Sequence, residues 1–193
     1  MEKIGIYGGT FDPVHHAHLI LAREAAESFG LTKVIFVPAL TSPDKAAPLV
    51  SGELRLQMLR AATAGEPSFE IDECELHRPP PSYTIDTVEF LRQKLLKAQL
   101  FLLLGDDNLA GLPRWRRFEN LQKMVTFIVL PRAKNVVRHE YLAVNRRIDI
   151  SATGIRERVA KRKPISYFVP PAVEEIIRAQ SLYKEVTKSI PIL

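Results

Sequence analysis

Three histidines stand within four residues in GGTFDPVHHAH (8–18), directly after a glycine pair and at what reads as the start of a helix. A helix start carries partial positive charge and unsatisfied backbone N–H groups, so it is a poor place for side chains that become cations. His15 and His18, three apart, share one face of a first helical turn. A phosphate removes the conflict, because it accepts the free N–H groups and stabilises positive imidazoles. The same pattern recurs in ISATGIRERV (150–159): Ser151 or Thr153 can cap a helix, and Arg156 falls in its first turn, where an acid would be favoured. Two helix starts with misplaced cations point to one shared anion. Lys45, on a proline-rich loop, offers a third cationic contact.

Duller roles compete for these residues. A histidine near a helix start is commonly a surface or hydrogen-bonded group, and an arginine often pairs with a nearby carboxylate. Zinc ligation by the histidines lacks helpers, since no HExxH follows and Cys74 is the single cysteine. GxxxxGK[ST], GxGxxG and GxSxG are all missing, which argues against a P-loop, a dehydrogenase fingerprint or a nucleophile elbow. What remains is a site of His, Arg, Lys and backbone N–H groups. Such a site can hold a polyphosphate and stabilise charge during direct transfer between phosphates.

The elements that must position these groups alternate. Lys3–Tyr7 reads as a buried strand ended by Gly8 and Gly9, followed by a helix over 18–29 closed by Gly30. Lys33–Val37 is a second strand, 53–64 a helix, and Phe69–Asp72 a short strand. Thr84 or Asp86 caps a helix running to about Lys97; Leu100–Leu104 and Val125–Leu130 are strands, and a last strand near Ile148–Ile150 leads into a helix from about Gly154. Strand–helix alternation predicts an α/β fold, a doubly wound parallel sheet with a small C-terminal helical part over 154–185 of a single 1–193 domain. Ligands of such sheets bind at strand carboxyl ends. Those ends carry Gly8–His18, Pro38–Lys45, Gly105–Asp107 and Ser151–Arg156, where nearly all the suggestive residues fall.

The totals agree with a globular protein: 193 residues, 46% hydrophobic and 25% charged. No apolar run approaches the ~20 residues of a membrane span, and the N-terminus lacks a signal-peptide pattern, so a cytoplasmic protein with no membrane partner is expected. The net charge of +5, with basic residues gathered in the second half, suits an anionic partner. Nucleic acid is the rival to a phosphorylated small molecule, but no RNA-binding motif is present and the basic residues are interleaved with apolar ones, so none is expected.

The spaced motifs resemble those of a known family. GGTFDPVHHAH followed by ISATGIR resembles the HxGH and ISSTxIR motifs of the adenylyltransferase superfamily. CELHRPPPSYTIDT (74–87), LGDDNLAGLPRWRRFENL (104–121) and VPPAVEEII through SLY (169–183) are similar to segments of bacterial nicotinate-nucleotide adenylyltransferases. This resemblance implies a Rossmann-like nucleotidyltransferase fold and transfer of the adenylyl group of ATP to nicotinate mononucleotide, with Mg²⁺, releasing pyrophosphate. The amide mononucleotide is the alternative acceptor, and a homo-oligomer is compatible with the family.

By the same resemblance, His15, His18, Lys45 and Arg156 are the catalytic cations. Gly8, Gly9, Thr10, Phe11, Gly105, Asp107, Ser151 and Thr153 contact ATP or its path. Tyr83, Thr84, Trp115 and Arg116 form the pyridine pocket, where Trp115 stacks the ring and backbone amides near Thr84 and Arg116 hold its carboxylate. No residue is expected to ligate a metal. The sequence departs from the motifs at Ala17 (for glycine), Asp44 (for histidine) and Ala152 (for serine).

Overall fold

Alternation of side chains along the strands decides which face each helix covers. The computed structural model describes residues 1–43, 46–132 and 139–184. In chain order the elements are β1 (Lys3–Gly9), α1 (His16–Phe29), β2 (Lys33–Pro38), α2 (Gly52–Thr63), β3 (Phe69–Ile71), α3 (Thr84–Lys94), β4 (Gln99–Gly105), α4 (Phe118–Met124), β5 (Thr126–Leu130), β6 (Leu142–Ala143), α5 (Ala152–Ala160) and α6 (Pro171–Ala179). The strands form one parallel sheet in the order β3-β2-β1-β4-β5-β6. Ile4, Ile6, Ile35, Val37, Leu100, Leu102, Leu104, Phe127 and Val129 build one core, with Ile85, Val88 and Leu91 of α3. Tyr7, Val34, Phe36, Phe101, Leu103, Ile128 and Leu130 face the other way, against α1, α2, α5 and α6. Both faces are therefore covered, as expected of a doubly wound sheet.

β1 lies at the centre, between β2 and β4, and its carboxyl end is where the strand order reverses. Gly5 lets neighbouring side chains close over the strand: a Cβ there would stand 3.0 Å from Leu31 and 3.1 Å from Leu103. Gly30 ends α1 in the left-handed conformation (φ 64°), as its position in the sequence predicts.

Two elements differ from expectation. The sixth strand is Leu142–Ala143, which pairs with Ile128 and Val129, and not Ile148–Ile150. Ile148 and Ile150 pack on the core outside the ladder, so their alternation reports burial rather than pairing. α3 begins with Thr84 itself; its N-cap is Tyr83 and no side chain caps it, so neither Thr84 nor Asp86 is the cap. Ser151, in contrast, caps α5 by accepting from the Gly154 N–H (3.1 Å). Among the described residues no helix is long and apolar enough to cross a membrane.

The strand-end loops are held to one another by Arg55 of α2, a charged residue only 1% exposed. Its guanidinium donates to the carbonyls of Thr10 (2.6 Å), Ala39 (2.7 Å) and Val50 (3.1 Å), so the loop after β1 and the loop after β2 share one clamp. Carbonyls near the ends of buried loops need donors, and one planar fork supplies several. Arg55→Met should lower unfolding free energy by roughly 3 kcal/mol, because the carbonyls are left without donors. Denaturant titration of both proteins measures this, and an unchanged midpoint would remove Arg55 from its structural role.

Candidate active site

Two groups of residues assemble at the carboxyl end of the sheet. The first lines a cleft of about 470 Å³. Its walls include Gly8 and Gly9 at the end of β1 with Thr10 beyond them, Gly105 at the end of β4 with Asp107 beyond it, Tyr83 and Thr84 at the start of α3, and Trp115 and Arg116 before α4. All these residues were expected in the site, and the fold brings them to one opening. Trp115 is half-buried, as a ring that stacks a ligand should be. The Arg116 guanidinium lies 4.6 Å from the centre of the Tyr83 ring, a cation–π arrangement at the rim. Arg117, with φ +53°, donates to both oxygens of Glu89 (2.8 Å each) and to Asp86 (3.0 Å), tying the Trp115–Arg116 segment to α3. The Asn108 amide bonds the Gly105 carbonyl (3.2 Å) and Asp107 Oδ1 (3.1 Å), which folds Asp107 against Gly105 and leaves no room there for a side chain.

The second group surrounds the start of α1. His15 and His18 stack with ring centres 3.7 Å apart, and both are buried. The His15 N–H donates to His18 Nδ1 (3.2 Å), so a neutral His18 carries its proton on Nε2. Neither ring nitrogen of His15 has a partner among the described residues. Phe11 adopts φ +50°, a strained conformation for a bulky residue, while its ring packs edge-on against His18 (5.0 Å) and Tyr7 (5.7 Å). Burial of that ring opposes the backbone cost and shapes the loop beneath the histidines. Ala17, the departure from the motif glycine, is fully buried in α1 and leaves the first turn helical.

Arg156 reaches this group from far along the chain. Its Nη1 donates to the Asp12 carbonyl (2.8 Å), 144 residues away, and its Nη2 to Thr153 Oγ1 (3.1 Å). Because α5 starts at Ala152, Arg156 is its fifth residue and lies past the first turn where it was expected, yet it reaches the loop that leads into α1. Ser151 and Thr153 are exposed beside Arg156 at the start of α5, and Ala152 is the first residue of that helix. Lys45 and Asp44 lie outside the described residues.

Two details revise the reading from spacing. The helix-start amides are not all free: the His16 N–H donates to the Phe168 carbonyl (3.0 Å) and the His18 N–H to the His15 carbonyl (2.9 Å). Nor are the imidazoles cationic in the protein by itself. Burial holds His15 down to about 3, with Arg132 and His16 adding repulsion, and His18 is lowered well below the usual range by burial, His15 and Arg132. An anion must arrive before these rings can gain a proton.

Sequence reasoning missed Arg132, which follows β5. Its Nη2 donates to the Tyr7 hydroxyl (2.6 Å), its backbone N–H to Asp106 Oδ2 (3.0 Å), and its Nε is buried with no partner among the described residues. Its position at a strand carboxyl end was the available signal. Tyr183 and Asp12 were missed as a pair: the tyrosine hydroxyl donates to Asp12 Oδ1 (2.6 Å), and no local pattern connects residues 171 positions apart. Among the described residues no three His, Cys, Asp or Glu side chains stand together as a metal site.

The chain has relatives of known family and fold. The cytidylyltransferase-like family profile matches residues 6–158. A probable nicotinate-nucleotide adenylyltransferase of Shouchella clausii is 42% identical, covering 95% of this chain and 97% of the relative. The nicotinate-nucleotide adenylyltransferase of Bacillus subtilis is 36% identical over 95% of this chain and 100% of its own. The structure of Plasmodium falciparum nicotinic acid mononucleotide adenylyltransferase complexed with NaAD superimposes with a TM-score of 0.80 at 19% identity, covering 95% of this chain and 98% of that one, a likeness of fold.

Neutral buried histidines have a consequence for stability. The unfolded chain binds protons near the ordinary histidine pKa of about 6.5 and the native His15 only near 3, so stability is full above about 6.5 and falls as pH drops toward 3. The slope is at most about 1.4 kcal/mol per pH unit for each such group. His15→Asn should flatten the fall in melting temperature between neutral and mildly acid buffer. An identical acid slope in wild type and variant would contradict the neutral, buried assignment.

Proposed function

This chain belongs to the nicotinate-nucleotide adenylyltransferase family, within the cytidylyltransferase-like superfamily, and we propose that it transfers the adenylyl group of ATP to nicotinate mononucleotide, giving nicotinate adenine dinucleotide and pyrophosphate. The observation that carries this reading is the hydrogen bond from Arg156 to the Asp12 carbonyl, which brings the late cationic helix start onto the loop bearing His15 and His18. That loop also supplies Gly8, Gly9 and Thr10 to the cleft, so a triphosphate beside the histidines and a mononucleotide in the cleft are neighbours.

In this reading the mononucleotide phosphate attacks the α-phosphorus of ATP in line. One P–O bond forms and the bond to the β-phosphate bridging oxygen breaks, so pyrophosphate carries away the electron pair. The attacking oxygen is already ionised and needs no general base. Catalysis then rests on positioning and on charge stabilisation. His18, with its proton on Nε2, donates to a phosphate oxygen as charge moves. His15 has two unpartnered ring nitrogens and accepts a proton once a phosphate stands beside it, because the anion reverses the balance set by burial. Arg132 and Arg156 are permanent cations, and Ser151 and Thr153 offer hydroxyls at the same helix start. Lys45 would add a further charge.

The acceptor lies in the cleft with its ring against Trp115 and its carboxylate at the amides near Thr84 and Arg116, while Gly105 and Asp107 on the same wall face ATP. Arg114 and Arg116 on the cleft wall favour an anionic carboxylate over the neutral amide. Because the described residues offer no carboxylate cluster, the Mg²⁺ that travels with ATP would be held by phosphate oxygens and water. When bound, that ion would neutralise phosphate charge.

Incubation with ATP, Mg²⁺ and nicotinate mononucleotide should release pyrophosphate and form the dinucleotide, with the acid strongly preferred over the amide. His18→Ala should lower kcat roughly 10²-fold or more while the fold persists. Equal efficiency with both acceptors would remove the acid assignment. Unchanged turnover in the alanine variant would remove His18 from the chemistry.

A further inference from the structure

Of the two carboxylates on the cleft wall, Asp107 is exposed, whereas Glu75 is buried at 5% exposure and has no part in the chemistry above. The directions of its hydrogen bonds can be worked out from atoms that can only donate. Arg78 Nη2 donates to Thr87 Oγ1 (2.7 Å), so the threonine keeps its own hydrogen for Glu75 Oε1 (2.5 Å). In the same way the Leu40 N–H donates to Ser82 Oγ (3.2 Å), which leaves the Ser82 hydroxyl hydrogen to turn toward the Glu75 carboxylate, whose charge it favours. The Ser82 N–H is meanwhile bound to the Thr41 carbonyl (2.9 Å). Glu75 is thus the common end of two donor chains, one through α3 and one through the loop after β2. Both chains converge on the turn that leads into Tyr83 and Thr84.

We propose that Glu75 is a positioning residue for the acceptor nucleotide: by accepting both hydroxyls it holds the Ser82–Thr84 turn so that Tyr83 and Thr84 meet the ring. The inference rests on reading the cleft as the acceptor site. An ionised carboxylate only accepts, whereas a protonated one becomes a donor among hydroxyls whose own hydrogens are directed at it. The charges around Glu75 are Arg78 at 3.9 Å and Asp86 of α3, with Cys74 beside it; Asp107, Arg114 and Arg116 stand elsewhere on the cleft wall. Burial raises Glu75 above the usual carboxylate range, and the bonds from Thr87 and Ser82 and the charge of Arg78 oppose that rise. As pH falls, Glu75 therefore protonates ahead of an ordinary glutamate, and the turn loses its anchor.

The test is Glu75→Gln, which keeps the size and one accepting oxygen but replaces the other by a donor. With the full chain, ATP, Mg²⁺ and nicotinate mononucleotide, KM for the mononucleotide should rise about tenfold or more, the loss of one charge-assisted hydrogen bond. KM for ATP and kcat at saturation should stay within about twofold, the mark of lost binding rather than lost chemistry. In wild type the mononucleotide KM should climb as the buffer is made acid, and in the variant that climb should be flattened. Should Glu75→Gln fail to fold, Ser82→Ala and Thr87→Val carry the test, each raising the mononucleotide KM selectively. A folded variant with an unchanged mononucleotide KM, or one in which both KM values and kcat deteriorate together with the melting temperature, overturns the positioning role while leaving the proposed reaction in place. Wild-type protein that forms no dinucleotide overturns both.

Discussion

The site depends on how Asp12 is satisfied. This residue is buried at 4% exposure, and a carboxylate removed from water is costly unless its oxygens find donors. Here Oδ2 accepts from the Leu49 N–H (2.8 Å), Oδ1 from the Tyr183 hydroxyl (2.6 Å), and the main-chain carbonyl from Arg156 (2.8 Å). The guanidinium of Arg55 adds a favourable charge nearby. Three segments far apart in sequence are thereby fastened to the histidine loop: the loop after β2, the start of α5 and the turn after α6. Tyr183 takes φ +60° in order to make its bond, and its hydroxyl is driven well above the usual phenol range by burial and by the Asp12 carboxylate. It therefore remains a hydrogen-bond donor throughout the working pH range.

Satisfying Asp12 permits the histidines to be buried, and burial sets their chemistry. A loop of glycines and a strained phenylalanine turns the chain into α1 under a cluster of rings, where imidazoles are neutral until an anion arrives. Arg132 acts in the same place, where its charge opposes protonation of both rings. Water is excluded and the charges are held in place beforehand, which is the condition under which fixed dipoles and cations stabilise a transition state most effectively.

The cleft wall follows a different design. It is built by the segments between β3 and α3 and between β4 and α4, the second of which contains two single turns of 3-10 helix, Asp106–Asn108 and Leu112–Arg114. Such segments need tying down. Arg117 ties one to α3 through Glu89 and Asp86, and Glu75 gathers the other through Ser82 and Thr87. These two ties differ in energy. The first is solvent-exposed and screened, whereas the second is buried, where each lost bond leaves an unsatisfied group.

Much of this was legible in the sequence, for definite physical reasons. Two-residue alternation and Gly-terminated runs mark strands and helices through local sterics and burial, so five strands and the main helices lie within a few residues of their predicted positions. Helix-start electrostatics is also local, and it singled out His15, His18 and Arg156 before any fold was known. The sixth strand was misplaced because the hydrophobicity of Ile148 and Ile150 reports contact with the core and says nothing of which residues complete a ladder. Other features were decided by the tertiary structure alone. Arg55, Arg132, Asp12 with Tyr183, and Glu75 with Ser82 all work by bonds that cross many residues, and the protonation of the imidazoles depends on how completely neighbouring rings remove water. Composition and spacing determine what a segment can do locally; desolvation and long-range hydrogen bonding exist only once the chain has closed on itself.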